Sequence, residues 1–237
     1  MEKKQYRLMF ENEDQNWWFL AKRKFIRTVL PNPNVRLNIL DVGCGTGGTT
    51  KFLEKYGKVS GLEPSSFARI FLKQRKIRFK TISVESFTSG KKFDLICFLD
   101  VLYHKNIRSD MQAIKKAAGI LNTGGYLLIT DCALPYFSGP HDKNMFARQR
   151  YKLGDMQNMV NNSGFTLLKS SYTYFFTFPL FILTRIIQNK YYFESVSKLP
   201  GIINKFLLFI CTVEALFLKY VNFPVGSSII VYAQKNK

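Results

Sequence analysis

The chain has 237 residues, 46% of them hydrophobic and 22% charged, which allows one large domain or one domain with a sizeable appendage. Its formal net charge of +19 favours anionic partners such as phosphorylated molecules, nucleic acid or an anionic membrane, although general lysine enrichment would give the same value. The four cysteines are widely spaced and form no metal-binding pair, so we expect no metal site and a reducing, cytoplasmic location.

The N-terminus lacks the apolar core of a signal peptide. Two apolar segments, 175–187 and 206–218, come closest to a membrane-spanning helix, but Arg185 and Glu214 interrupt them. Neither reaches the ~18 apolar residues that a bilayer requires. We therefore expect both segments to lie on a membrane surface or to pack as core helices.

Helices and strands alternate along the first half of the chain. A helix over 12–30 begins with acidic and ends with basic residues, which suits the helix dipole. The elements predicted after it are a strand at 37–42, helix at 49–56, strand at 59–63, helix at 65–75, strands at 79–84 and 93–99, helix at 109–121 and strand at 126–130. This succession predicts an α/β fold with a doubly wound, mostly parallel sheet, whose ligands bind at the carboxyl ends of the strands.

The pattern changes after residue 131. A polar stretch at 133–152 precedes a helix at 153–162 and a strand that begins at 165. The region 172–223 is aromatic, apolar and basic, and a final strand is predicted at 228–232.

A glycine-rich loop at 43–48 follows the first strand and opens the next helix. Glycines let the backbone turn sharply and approach a ligand closely. The loop alone also fits a dinucleotide-binding site, with Glu63 about 20 residues on as the ribose ligand. Asp41 favours a different cofactor, because dinucleotide-binding folds usually have an apolar residue at that place. Glu63 lies at the tip of the second strand, where its carboxylate can accept hydrogen bonds from both ribose hydroxyls.

Residues 40–47, Leu-Asp-Val-Gly-Cys-Gly-Thr-Gly, resemble the first motif of class I S-adenosylmethionine-dependent methyltransferases. Glu63, Asp94 with its strand, and residues 122–129 resemble later motifs of that family in the same order. The resemblance covers about residues 36–132. It implies a Rossmann-like sheet of seven strands, S-adenosyl-L-methionine as cofactor, and methyl transfer as the activity.

The resemblance also implies roles for individual residues at the strand ends. They are Asp41, Gly43, Cys44 and Gly45 for the methionine part of the cofactor, Glu63 and Pro64 for the ribose, Ser83 and Val84 for the adenine, and Leu99 and Asp100 beside the transferable methyl group. The family often has an aspartate where this chain has Ser83. Val84 and Leu99 would equally suit core positions.

The two histidines are the candidate catalytic residues, because the pKa of histidine lies near neutrality and suits a general base. His104 follows the fourth strand at the rim of the expected methyl site, and a structural role is the alternative. His141 lies in the loop after the fifth strand. Together with Arg148 and Arg150 it would suit an anionic group, and a solvated basic loop is the alternative.

The run Gln15-Asn16-Trp17-Trp18-Phe19, with Lys22 and Arg23, resembles a methyltransferase subgroup found among glycan and cell-surface polysaccharide genes. Members of that subgroup similarly end with a hydrophobic region and a Pro-x-Gly-Ser strand, here Pro179, Arg185, Glu214 and 224–228. This second resemblance implies a sugar or lipid-linked glycan precursor as acceptor, with the N-terminal helix as a lid over the cofactor. Our leading hypothesis is methylation of a small or lipid-linked acceptor on oxygen.

We expect an N-terminal lid helix at 1–35, a methyltransferase core at 36–172 and 226–237, and a hydrophobic helical insertion at 173–225. The region 172–223 suits an amphipathic membrane-surface element, a helical cap over the acceptor site or a dimer contact, and we favour a cap that also contacts membrane.

Two other functions stay open at this point. RNA methylation suits the net charge, but the chain has no separate RNA-binding module, no Asn/Asp-Pro-Pro-Tyr-type motif and no catalytic-cysteine motif. A non-catalytic, membrane-peripheral scaffold is the third hypothesis, and the intact glycine loop opposes it. We expect an anionic acceptor, with an anionic membrane as a candidate partner for residues 172–223, nucleic acid less favoured, and a homo-oligomer compatible with the sequence.

Overall fold

The computed structural model describes residues 3–30, 35–138, 142, 145–188 and 199–236. Its centre is a sheet of seven strands in the order β3-β2-β1-β4-β5-β7-β6. The strands are β1 (Leu37–Val42), β2 (Gly57–Leu62), β3 (Phe79–Lys80), β4 (Phe93–Leu99), β5 (Leu121–Cys132), β6 (Phe165–Thr173) and β7 (Ser228–Lys235). Strands β1 to β5 pair in parallel, and β7 pairs antiparallel with both β5 and β6. The predicted doubly wound, mostly parallel α/β fold is confirmed.

Helices cover both faces of this sheet. They are α1 (Lys3–Asn12), α2 (Trp17–Val29), α3 (Gly48–Leu53), α4 (Arg69–Gln74), α5 (Asp110–Ile120), α6 (Leu153–Asn161), α7 (Phe178–Gln188) and α8 (Gly201–Leu218). Successive side chains of a strand point to opposite faces, so Leu95 and Cys97 of β4 belong to one apolar core while Ile96 and Phe98 belong to the other. The first core also holds side chains of α2 and α8, and the second those of α5 and α6.

The prediction of one helix over 12–30 is wrong, because two helices flank a turn at residues 13–16. Asn16 is the N-cap of α2, and its side chain accepts a hydrogen bond from the Trp18 amide at 2.9 Å. The acidic side chains of the turn form tertiary contacts and do not interact with the dipole of a helix over 12–30. Asp14, for example, pairs with Arg23 at 2.8 Å and with Arg75 at 2.7 Å.

The strand predicted at 79–84 is also shorter than expected and ends at Lys80. It lies at the edge of the sheet and pairs with β2 at only two positions. The chain then turns inward, and Val84 packs in the core with 2% of its surface exposed. Ser83 and Val84 therefore lie in a loop at the carboxyl edge of the sheet.

The last helix, α8, begins at Gly201 and so is longer than the apolar segment 206–218 suggested. Within the described residues it is the one helix long and apolar enough to cross a membrane by length and composition, which corrects the expectation that no segment qualifies. One side of α8 is nevertheless fixed on α2 and on the turn before it. Asn204 donates to the Gln15 carbonyl at 2.9 Å, and Thr28 donates to the Ala215 carbonyl at 3.0 Å.

Candidate functional site

The glycine-rich loop leaves β1 and lies at the carboxyl edge of the sheet. Gly43 and Gly45 adopt left-handed backbone angles, with φ of +70° and +54°. A Cβ on Gly43 would lie 2.6 Å from a Val101 methyl carbon, and one on Gly45 would lie 2.9 Å from the Met9 methyl carbon. The amides of Gly43 and Cys44 both donate to the Leu62 carbonyl, at 2.7 and 3.0 Å. These contacts hold the loop backbone close to the strand ends, with no room for larger residues.

Asp41 provides a buried carboxylate beneath this loop, with 2% of its surface exposed. Its Oδ2 accepts a hydrogen bond from the Thr50 hydroxyl at 2.7 Å, while its buried Oδ1 has no hydrogen-bond partner among the described residues. Burial raises the pKa of Asp41 to about 7, and the Thr50 hydrogen bond and the charge of Lys22 oppose that rise. An unpaired buried carboxylate oxygen beside a cavity is suited to a cationic amine.

Glu63 lies at the end of β2 and joins the glycine loop to the N-terminal helix. Its Oε2 accepts from the Gly45 amide at 2.9 Å, and its Oε1 accepts from the Ser65 amide at 2.9 Å and from the Tyr6 hydroxyl at 3.3 Å. Burial raises the pKa of Glu63, and these hydrogen bonds oppose the rise. Tyr6 of α1 thus lies directly over the carboxylate predicted to bind a ribose.

Glu13, in the turn between α1 and α2, was not among the predicted site residues. Its carboxylate accepts from the Thr46 hydroxyl at 2.7 Å, from the Gly48 amide at 3.1 Å and from Arg75 at 2.9 Å. The turn is therefore tied to the glycine loop and to the residue that follows α4. Burial raises the pKa of Glu13 in this position. No local pattern marked Glu13, because its partners lie 33 to 62 residues away.

Asp100 follows β4 in a left-handed conformation, with φ of +59°. Its Oδ2 lies 2.5 Å from the Lys22 ammonium, and its Oδ1 accepts from the Thr130 hydroxyl at 3.2 Å. The same Lys22 nitrogen lies 4.5 Å from the centre of the Trp18 ring, a cation–π distance. The subgroup motif contains Lys22, but its partner across 78 residues could not be predicted.

His104 lies in the turn after β4, with its ring edge-on to Tyr103 and Phe146. Its Nδ1 accepts a hydrogen bond from the Asn106 amide at 3.2 Å. Burial lowers the pKa of His104 to about 4, and the charge of Lys105 adds to the effect. A neutral imidazole whose Nδ1 accepts has its proton on Nε2 and so can donate a hydrogen bond from that nitrogen. The second candidate, His141, lies outside the described residues.

One cavity of about 690 Å³ joins these groups along the carboxyl edge of the sheet. All predicted site residues that the structure describes line it, namely Asp41, Gly43, Cys44, Gly45, Glu63, Pro64, Ser83, Val84, Leu99, Asp100 and His104. The cavity extends past the ends of β5 and β7, at Cys132 and Ser228, to residues of α7 and α8. Its volume is about twenty times the roughly 30 Å³ share of a water molecule, and it has room for two organic molecules end to end.

Two arginines line the end of the cavity that is furthest along the sheet from Glu63. Arg150 donates to Asp142 through Nε at 3.0 Å and Nη2 at 2.7 Å, and through Nη1 to the Ala133 carbonyl at 3.0 Å. Arg185 lies 3.5 Å from the other oxygen of Asp142. Both guanidinium groups lie near the Phe181 ring, at 5.7 and 5.0 Å.

The two arginines at this end of the cavity therefore differ from the predicted pair, Arg148 and Arg150. Arg148 does not line the cavity but forms an ion pair with Asp110, while Arg185 of α7 takes a place beside Arg150. Burial, followed by the charge of Arg150, lowers the pKa of Arg185. Among the described residues, no group of three or more His, Cys, Asp or Glu side chains is arranged to hold a metal ion.

The seven-stranded fold, the glycine loop, the unpaired Asp41 oxygen and the Glu63 carboxylate together define a class I methyltransferase architecture with a site that fits S-adenosyl-L-methionine. A family model described as a methyltransferase domain matches residues 15–170. The chain belongs to this family, and it is a methyltransferase with S-adenosyl-L-methionine as its cofactor.

Individual relatives agree with this assignment. An uncharacterized methyltransferase of Alkaliphilus oremlandii is 26% identical over 178 residues, which cover 74% of each protein. A S-adenosylmethionine-dependent methyltransferase of Thermotoga maritima has a similar fold, with a TM-score of 0.63, 15% identity, and coverage of 98% of this chain and 96% of that one. The N-methyltransferase NodS of Bradyrhizobium japonicum, solved with S-adenosyl-L-homocysteine, has a TM-score of 0.59 and 13% identity, covering 94% and 90% of the two chains.

Proposed function

We propose that the protein methylates a hydroxyl oxygen of an anionic, sugar-containing acceptor that is either small or lipid-linked. The observation that supports this proposal is the polarity of the cavity, which has the Asp41 and Glu63 carboxylates at one end and Arg150 with Arg185 at the other. Carboxylates suit the amine and ribose of the cofactor, whereas guanidinium groups suit phosphate or carboxylate on an acceptor.

At the cofactor end of the cavity, each predicted residue has a separate proposed role. Asp41 would accept a hydrogen bond from the cofactor ammonium through Oδ1, and Glu63 would accept from the ribose hydroxyls. Ser83 and Val84 would line the adenine, and the close backbone of the glycine loop would leave space for the methionine part. When bound, S-adenosyl-L-methionine would supply a methyl group from its positively charged sulfur, which becomes a neutral thioether, and the acceptor hydroxyl would lose its proton to a base or to water.

The N-terminal helices would act as a lid over that end. Tyr6, Met9 and Glu13 line the cavity, and Tyr6 already donates to Glu63. Lys22 would hold Asp100 in place beside the methyl group, together with Leu99. We expect these contacts to exclude water from the reacting groups. In a site without water, alignment of the two reactants contributes most to the rate.

The sugar part of the proposal rests on residues of the second resemblance that are distant in sequence yet line the same cavity. Trp17 and Trp18 reach it from α2, Arg185 from α7, and Ser227 and Ser228 from the start of β7. Ligand sites of this kind combine aromatic walls with a few convergent polar groups. This convergence supports an acceptor with hydroxyl groups next to an anionic group.

His104 has two proposed roles at the acceptor. As a general base it would take the hydroxyl proton, and as a donor it would hold the acceptor oxygen through Nε2–H. The hydrogen bond from Asn106 to Nδ1 and the lowered pKa favour the donor role. In that case alignment of the two substrates provides most of the catalysis. A cytoplasmic location, with access to the membrane surface, is part of the same proposal.

The test is a transfer assay with S-adenosyl-L-methionine labelled in the methyl group. The acceptors are nucleotide sugars, polyprenyl-phosphate-linked sugars, total lipid extract and RNA, each followed by mass spectrometry of the product. We expect an alkali-stable methyl ether on an anionic sugar-containing acceptor. Label in RNA alone would support the alternative RNA activity, and label on nitrogen would contradict O-methylation.

A pair of arginine variants tests the anionic end of the cavity. Arg185→Gln should raise the KM for the acceptor about tenfold or more, because a charge-assisted hydrogen bond is lost, and should leave cofactor affinity unchanged. Arg36→Gln is the matched control, because Arg36 is exposed at the start of β1, at the opposite end of the sheet. Equal KM values in both variants would contradict the proposed acceptor orientation.

A further inference from the structure

The outer side of α8 is apolar yet exposed. Ile202, Phe206, Phe209, Leu216 and Tyr220 follow one another at helical spacing and have between 60% and 86% of their surfaces exposed. The opposite side of the same helix is also apolar and is buried, at Leu207, Cys211, Ala215 and Leu218. Although α8 also carries the buried Glu214 and the exposed Lys205, its outer side is an exposed apolar stripe. Such a stripe is typical of a surface that contacts protein or lipid, so the outer side calls for an apolar partner.

The exposed surface continues onto the neighbouring helix. Together these residues form one surface, here called the apolar face, which consists of Leu180, Leu183, Ile186, Leu199, Ile202, Ile203, Phe206, Phe209, Leu216, Phe217, Tyr220 and Val221, all with at least 38% of their surfaces exposed. Phe176, just before α7, has its ring centre 6.3 Å from that of Phe217 near the end of α8. Apolar surfaces this extensive mark interaction sites.

The cavity opens through this same surface. Leu180, Leu199 and Ile203 line the cavity and at the same time belong to the apolar face, with 43%, 38% and 48% of their surfaces exposed. Arg185 lines the same cavity. A molecule that entered here would pass an apolar rim before its polar part met a guanidinium group.

Cationic side chains border the apolar face. Lys205 of α8 and Lys219 directly after that helix are exposed, and Lys169 of β6 donates to the carbonyl of Val221 at 3.0 Å. The Lys219 nitrogen lies 5.5 Å from the ring centre of Tyr220. Lysines and tyrosines around an apolar surface are typical of a protein that lies in the headgroup region of a bilayer. The net charge of +19 makes anionic lipid the complementary surface.

We propose that the apolar face docks on an anionic lipid bilayer and that the cavity admits lipid-linked acceptors from that bilayer. The lipid chain would stay at the opening while the anionic group moves inward to Arg185. The contacts of α8 with α2 keep its inner side on the domain, so the helix lies along the membrane and does not cross it. The choice of acceptor rests on the proposed function, whereas the docking itself does not.

Vesicle flotation tests the docking without cofactor or acceptor, so its outcome is independent of methyl transfer. The full chain is mixed with vesicles of phosphatidylcholine alone or with phosphatidylglycerol, at 0.1 M and 1 M salt. We expect binding to the anionic vesicles and at least tenfold weaker binding at 1 M salt, because each lysine contributes about fivefold and is screened there. Absence of binding to anionic vesicles at 0.1 M salt would overturn the proposal.

Paired variants identify the surface that docks. Phe206→Ser with Phe209→Ser should weaken vesicle binding about tenfold per residue, since each loses apolar burial in the lipid. Ile70→Ser is the matched control, because Ile70 is 59% exposed but lies on α4, whose Leu72 packs in one cluster with Phe79 of the edge strand β3. Unchanged melting temperatures in all variants verify that the fold is intact. Equal binding by both variants would overturn the assignment of the apolar face.

The competing occupant of this surface is a second copy of the chain. Sedimentation velocity without lipid tests for such a dimer. Membrane docking would be overturned if the chain is a dimer that dissociates in the Phe206→Ser, Phe209→Ser variant and if the chain does not bind vesicles.

Two phosphate probes test the entry of lipid-linked acceptors. If docking is present, dodecyl phosphate should bind at least tenfold more tightly than ethyl phosphate, and Arg185→Gln should weaken the binding of both. Equal affinities of the two phosphates would overturn the lipid-linked acceptor while leaving the docking result intact.

Discussion

Replacement of Asp41 by Asn should stabilise the cofactor-free protein while weakening the binding of the cofactor. The buried aspartate has a pKa of about 7, whereas its ordinary value is 3.8. The unfolded chain therefore releases this proton at lower pH than the folded chain. As pH rises from 4 to 8 the folded state loses stability on account of this group. A shift of this size corresponds to about 4 kcal/mol, at 1.36 kcal/mol per pKa unit.

The asparagine variant lacks this titration but keeps an oxygen that can accept the Thr50 hydrogen bond. We expect the difference in free energy of unfolding between the variant and the original chain to grow by about 3 kcal/mol between pH 5 and pH 8. Urea unfolding without cofactor at both pH values measures it. A difference that stays constant with pH would refute the inference that burial raises this pKa.

Cofactor titration completes the experiment. A cationic amine binds the ionised carboxylate, so affinity in the original chain should fall as pH drops below about 7. The variant should bind about tenfold more weakly at pH 8, or worse, with little dependence on pH between 6 and 8. Asp94→Asn is the matched control, because Asp94 lies at the start of β4, away from the cavity, where it accepts from the Asn38 amide at 2.8 Å. It should leave cofactor affinity unchanged.

Two further substitutions test the cofactor and acceptor residues. Glu63→Ala should weaken cofactor binding by about 1–3 kcal/mol in calorimetry, since it removes charge-assisted hydrogen bonds. Glu54→Ala is the control and should leave the affinity unchanged, because Glu54 is a half-buried residue directly after α3 that pairs with Lys51 and does not line the cavity. Equal affinities of the two variants would contradict the ribose assignment. His104→Ala should lower kcat about 2- to 12-fold if the imidazole only donates a hydrogen bond, and about 10²–10⁴-fold if it is a general base. Because the pKa of His104 is about 4, its titration should not affect the rate of the original chain between pH 6 and 8. A change of rate with pH in this range that is present in the original chain and absent in His104→Ala would contradict the donor role.

Local sequence patterns were enough to predict the sheet and the cofactor end of the cavity. Asp41, the glycine loop and Glu63 each lie at the end of a buried strand, and the parallel topology brings strand ends to one edge. Contacts across long separations could not be predicted in this way. The Lys22–Asp100 pair depends on how α2 packs over the sheet.

The same limit explains the errors in the predictions. Residues 12–30 have a composition compatible with one helix, and only tertiary contacts of Glu13 and its neighbour show why the chain turns there. The error at the acceptor end, where Arg185 lies in place of Arg148, has a similar cause. Arg185 reaches Asp142 because of the placement of α7, and neither the spacing nor the charge of the sequence specifies that placement.

The position of β7 has a consequence for synthesis on the ribosome. This strand lies between β5 and β6, so β6 cannot join the sheet until residues 228–235 have been made. Before that moment the β5 edge is open and the apolar helices of the preceding segment have no completed domain to pack on. Nascent chains that stall in this interval are therefore exposed to aggregation and to capture by chaperones. A variant of the chain truncated directly before residue 228 should therefore be insoluble, although every predicted cofactor-binding residue would still be present.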